Sequence, residues 1–110
     1  MRVYLPLTFE GLADVDAAGS VPADVEKFVA EDESEEAEYA ALMTAADASA
    51  QLSGESERRV VLAADVAELA GGVPRKMWAS VHVDLDVDPD PDDDLAWYAT
   101  QEITDLLAGR

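Results

Sequence analysis

The chain reads as an α+β protein with element order β-α-α-β-β-α, at least three strands, and helices packed mainly on one face of the sheet. Three observations lead there. Residues 2–7 and 76–84 alternate apolar and polar side chains with the period of two that a half-buried strand requires. Residues 60–64 are apolar at every position, as expected of a strand covered on both faces. Residues 35–52 and 95–107 repeat apolar side chains at three- and four-residue spacing, which marks an amphipathic helix. At 110 residues the chain is close to the usual size of one domain, so a single unit over residues 1–110 is expected.

In the first strand Val3, Leu5 and Leu7 alternate with Tyr4 and Pro6. Pro6 has no amide hydrogen to donate, which puts that end of the strand at an edge or leaving the sheet. Thr8 then serves as N-cap of a short helix carrying Leu12 and Val15, stopped by Gly19. Pro22 suits the first turn of a second short helix over residues 23–30, burying Val25, Phe28 and Val29. Ser34 caps the long helix at 35–52, and the acids from Glu31 to Glu36 lie where a helix start favours negative charge. Residues 53–57 form a turn by composition. Asp65-Val66-Ala67-Glu68 has capping-box spacing and predicts a helical turn ended by Gly71, Gly72 and Pro74. Along 76–84, Met77, Ala79, Val81 and Val83 point one way while Trp78, Ser80, His82 and Asp84 point the other. A last helix from Asp94 or Leu95 to Leu107 places Trp97 and Gln101 on one face.

Charge narrows the function classes. There are 25 acidic and 7 basic residues, a formal net charge of −18 at pH 7, and Lys27 and Lys76 are the only lysines. Such a field repels phosphate groups, so direct binding of nucleic acid or an anionic membrane is not expected, and the expected partner is a protein. Cysteine is absent, which removes disulfides, thiolate metal sites, iron–sulfur clusters and cysteine nucleophiles. The chain begins without the long apolar stretch of a signal peptide, and no run approaches the roughly 20 apolar residues of a membrane span. A cytoplasmic location is the expectation. No Walker or dinucleotide glycine pattern occurs, and no cofactor is implied.

Three places carry candidate chemistry. Trp78 and His82, joined by Tyr4, form a binding surface if their face of the sheet is open, and are core if a helix or a second copy covers it. Trp97 and Gln101 offer a second contact surface on the last helix. Residues 84–94 hold seven aspartates, of which Asp84, Asp86 and Asp88 match the first three ligand positions of a calcium loop. The match then fails, because Pro89 stands where that loop needs glycine and Leu95 replaces its bidentate glutamate, so weak cation association is expected rather than a metal site. For catalysis, His82 is the only histidine. A serine triad would need it with Asp84 and a serine such as Ser80, an arrangement that neighbours on one strand rarely make, and no nucleophile-elbow motif supports it. No catalytic residue is assigned.

The blocks Met1-Arg2-Val3-Tyr4-Leu5-Pro6, Glu38-Tyr39-Ala40-Ala41, Arg58 to Val66, Val81-His82-Val83-Asp84 and Trp97-Tyr98-Ala99-Thr100-Gln101-Glu102-Ile103 resemble an uncharacterised actinobacterial protein family, a domain of unknown function. The resemblance spans nearly the whole chain and implies a cytosolic actinobacterial protein, with no activity or catalytic residue to carry over. The chain is shorter than many of those relatives before His82. Three functions remain in view: a non-catalytic interaction or accessory protein using an aromatic surface; an acidic mimic or chaperone-like binder of a basic, nucleic-acid-binding partner; and a small hydrolase or metal-dependent enzyme using His82. A homodimer over the open sheet face is compatible with each.

Overall fold

A computed structural model of the chain describes residues 1–54 and 57–109. Its elements are β1 (Arg2–Leu7), α1 (Phe9–Ala18), β2 (Ser20–Val21), β3 (Phe28–Val29), α2 (Glu35–Ser53), β4 (Val60–Asp65), β5 (Val73–Pro74), β6 (Trp78–Val83), β7 (Ala96–Tyr98) and α3 (Ile103–Ala108), with 3₁₀ turns at Arg75–Met77 and Thr100–Glu102. The expected turn at 53–57 falls partly on residues 55 and 56, outside the described residues.

The most apolar strand is the middle of the sheet. β4 pairs antiparallel with β1 on one side, from Arg2 opposite Asp65 to Leu7 opposite Val60, and with β6 on the other. Short β3 and β7 complete an all-antiparallel order β3-β1-β4-β6-β7, and β2 with β5 makes a separate two-stranded ribbon. β3 reaches only Val3 and Tyr4, so Pro6 lies past it and its missing donor disrupts no ladder on that side.

The pleat sorts side chains to two cores. Val3, Leu5, Leu7, Val60, Leu62, Ala64, Val81 and Val83 pack under Leu12 and Val15 of α1 and Ile103 of α3. Tyr4, Val61 and Ala63 face the other way, under Ala41, Ala45 and Ala46 of α2. Thus α1 and α3 share one face, while α2 lies over β3, β1 and β4 on the second. The caps are those the sequence implies: Thr8 Oγ1 accepts from the Gly11 amide at 2.8 Å and Ser34 Oγ from the Ala37 amide at 3.1 Å. Gly19 closes α1 at φ 75°, a left-handed conformation in which glycine is unstrained.

Three expected helical segments are not helical as read. Residues 23–30 end in β3, because the free edge of β1 offers Phe28 and Val29 a ladder opposite Tyr4 and Val3. Asp65 does not cap a turn: it continues β4, its carboxylate receives Arg2 Nε–H at 2.7 Å, and the Val66 amide bonds the Met1 carbonyl at 2.9 Å. At the C-terminal end the helix starts only at Ile103, since Ala96, Trp97 and Tyr98 pair with Val83, His82 and Val81. In each case a tertiary strand partner outweighs a local preference worth a few tenths of a kcal/mol per residue.

A bulge settles the faces of β6. Ala63 stands opposite Ser80, but Ala64 stands opposite Trp78, so Ala79 is an extra residue that reverses the alternation. Trp78 therefore joins Val81 and Val83 in the larger core, on the face away from His82. There its indole N–H donates to the Val73 carbonyl at 3.0 Å and the Arg75 guanidinium stacks 4.6 Å from the ring centroid.

Ser49, fully buried in α2, ties the two layers together. Its hydroxyl donates to the Leu7 carbonyl at 2.6 Å and accepts from the Val60 amide at 2.9 Å, at the shared end of β1 and β4. Ser49→Ala leaves both backbone groups without a partner, and a loss of about 2 kcal/mol in urea unfolding is expected. A change below about 0.5 kcal/mol would show that water replaces the hydroxyl there.

Candidate functional site

The acidic segment between β6 and β7 is shaped by one buried ion pair. Arg59 and Asp84 are 2% and 3% exposed and flank the paired ends of β4 and β6. The guanidinium meets both carboxylate oxygens, Nε to Oδ2 at 2.8 Å and Nη2 to Oδ1 at 2.9 Å, and the Arg59 amide also donates to Oδ2 at 2.8 Å. Two of the three remaining guanidinium hydrogens reach the Pro91 carbonyl at 3.1 Å and the Asp93 carbonyl at 2.9 Å. Arg59 thus folds the aspartate run back so that β7 can lie beside β6. Arg58 adds a bond from Nε to the Asp84 carbonyl at 2.7 Å and stacks over Phe9.

This pairing removes Asp84 from the cation candidates. Both of its oxygens are engaged by Arg59, whereas Asp86 and Asp88 are exposed on the following loop. Asp88 turns the chain with φ 53°, a left-handed value aspartate tolerates better than most residues. Among the described residues no three His, Asp or Glu side chains converge as a metal ion would require.

The other candidates separate by face. Tyr4 and His82 do share one side of the sheet, edge-to-face at 6.4 Å between centroids. Trp78, expected with them, lies on the opposite face because of the Ala79 bulge. Tyr4 is itself 4% exposed beneath α2, and burial, followed by the Glu38 carboxylate, pushes its phenol up, so it supports the surface from below instead of lining it. His82 is partly exposed and Ser80 Oγ lies 3.0 Å from its Nε2. Burial, with a smaller contribution from the Arg2 guanidinium, lowers its pKa from 6.5 to about 4, leaving a neutral ring at pH 7.

Directly across the ladder from His82 stands Trp97, 62% exposed. It was expected on a helix with Gln101, but it occupies the outermost strand, and Gln101 lies exposed on the 3₁₀ turn that comes next. The i, i+4 relation between them therefore does not form. α2 lies over β3, β1 and β4 and so leaves this end of the second face open.

Acids border the open strip. Tyr39, half-exposed in the first turns of α2, donates its hydroxyl to Asp94 Oδ1 at 2.7 Å, which joins the acidic start of α2 to the end of the aspartate run. Both runs are exposed over Glu31–Glu36 and Asp90–Asp94. Sequence reasoning assigned Tyr39 no site role; its position beside an acid run was the available signal for one. Most cations are committed internally: Arg2 to Asp65, Arg75 to Asp16, and both Arg58 and Arg59 to Asp84.

Residues 1–89 match the sequence pattern of a family of unknown function (DUF6912). The chain belongs to that family. The matched segment carries β1 through β6 and ends before β7, so His82 lies inside it and Trp97 beyond it. No curated protein and no solved structure is matched. Among the described residues no helix is long and apolar enough to cross a membrane.

Two measurements check this geometry. The single histidine should give an NMR titration midpoint near 4; a midpoint above 6 would mean that the ring is open to water. Between pH 6.5 and about 4 the unfolded chain takes up a proton that the folded chain refuses, so acidification favours unfolding through this group. Relative to His82→Gln, the native protein should lose stability as pH falls through that window and show a constant difference above it. Asp84→Ala, which leaves Arg59 buried and unpaired, should cost about 3–5 kcal/mol in denaturant unfolding, and combining it with Arg59→Met should recover part of that loss.

Proposed function

We propose that the protein is a non-catalytic interaction protein that binds a basic segment of a partner protein on the acid-flanked strip around Trp97. One observation carries the reading: of the two tryptophans, Trp78 is 7% exposed and Trp97 62% exposed, and the exposed one stands on an edge strand that comes directly after a run of aspartates. An open indole is apolar area that a partner can remove from water, and its ring face attracts a guanidinium or ammonium group. The carboxylates from Asp90 to Asp94, and those at the start of α2 joined to them through Tyr39, favour the same cation. At −18 net charge the protein steers a basic surface toward itself and repels nucleic acid, so the partner is read as protein, and the reading needs no cofactor.

The acidic-mimic reading rests on the charge alone and makes Trp97 irrelevant. The hydrolase reading draws on the 3.0 Å approach of Ser80 to His82. Against it, Ser80 is 3% exposed, Asp84 is held by Arg59, and among the described residues no carboxylate bonds the other ring nitrogen. A histidine with a pKa near 4 is also a weak base for abstracting a hydroxyl proton.

Affinity capture of partners at about 0.1 M and 1 M salt, where the Debye length falls from about 10 to 3 Å, separates these readings. A basic protein should be captured by the native chain, captured several-fold less by folded Trp97→Ala, and weakened but not abolished at high salt. Capture indifferent to Trp97→Ala but lost with salt would leave the charge-only mimic. An activity abolished by Ser80→Ala in a folded protein would establish the enzyme instead.

A further inference from the structure

We infer that the basic partner segment binds as an added strand along the free edge of β7, an extended stretch of alternating arginine or lysine and apolar residues; this rests on the interaction surface proposed above. β7 is the last strand of the sheet, paired only with β6. Among the described residues the backbone groups of Ala96, Trp97 and Tyr98 make no hydrogen bond outside that ladder. Their outward amides and carbonyls are therefore a template for another strand, which main-chain bonds hold and alternate side chains select.

Three features select the occupant. Trp97 projects from this edge strand on the open face, so a cationic side chain on an added strand comes within reach of its ring, directly or one position along. The strand begins two residues after Asp94, at the end of an exposed aspartate run, so a segment lying along β7 meets carboxylates at one end. Lastly, a second copy is a poor occupant. Edge-to-edge pairing would join two chains that each carry −18 charge, and like charges oppose association. The other edge, β3, is two residues long and has no exposed aromatic ring among its side chains: Phe28 packs against the α2 core and Val29 is aliphatic.

The test uses three synthetic peptides of about six to eight alternating arginines and valines. One is unmodified, one is N-methylated on every arginine and one on every valine. In a strand only alternate amides face the protein, so methylation in one frame should weaken binding to the intact chain about ten-fold and the other frame should retain it. Trp97→Ala should weaken the unmodified peptide several-fold, and Trp97→Phe should restore most of the binding, which separates ring stacking from misfolding. Equal binding of all three peptides overturns strand addition and leaves charge-driven docking standing. Loss in both frames also overturns it, because only one frame can face β7. No binding of any peptide at about 0.05 M salt, where screening is weak, overturns both strand addition and the surface it rests on. Sedimentation showing a dimer that Trp97→Ala dissolves would give the edge to a second copy and overturn the assignment to a basic segment.

Discussion

The Arg59–Asp84 pair is the constraint on which the far end of the sheet depends. It closes the paired ends of β4 and β6, and the same guanidinium holds two carbonyls of the aspartate run. A segment with seven aspartates in eleven residues repels itself and has little reason to adopt one shape. One buried cation, with its hydrogens directed at Asp84, Pro91 and Asp93, supplies that reason and returns the chain to β6 in register for β7. Desolvating two charges is costly, and such a pair adds little net stability compared with an apolar replacement. Its contribution here is geometric: it sets where Trp97 stands.

The distribution of cations reflects the same scarcity of basic residues. With 7 against 25, each internal use of an arginine leaves the surface more acidic. Arg59 is consumed in the interior, Arg58 and Arg75 lie against Phe9 and Trp78, and Arg2 holds the end of β4. The outward field is therefore predominantly acidic, and this protects the edge. A short strand with neighbouring like charges discourages pairing with another copy of the chain while remaining open to a cationic segment.

Much of the fold was legible because its signals are local. Thr8 and Ser34 each supply an oxygen to an amide three residues on, and both helix starts were read correctly. The fully apolar run at Val60–Ala64 belongs to a strand buried on both faces, which places β4 at the centre. What failed was each reading that treated a segment as isolated. Leu95 and Ala99 have helical spacing with Ile103 and Leu106, but Ala96–Tyr98 between them pair with the outer edge of β6. Asp65 has the spacing of a cap, but Arg2 on the adjacent strand takes its carboxylate.

The candidate site shows the same division. Sequence by itself determined the acidity, the lack of thiol chemistry, the two helix caps and the central strand, because composition and contacts within three or four residues decide those. It also singled out Trp78, His82, Trp97 and the aspartates as the residues of interest. Only the tertiary structure decided which of them share a surface. One extra residue at Ala79 moved Trp78 to the far face, and α2 covered Tyr4. Arg59, 25 positions from Asp84 in the chain, withdrew that carboxylate from any cation. In a strand a shift of one residue exchanges the two faces, and such a shift is set by how the pairing strand and the core fit, which no local pattern records.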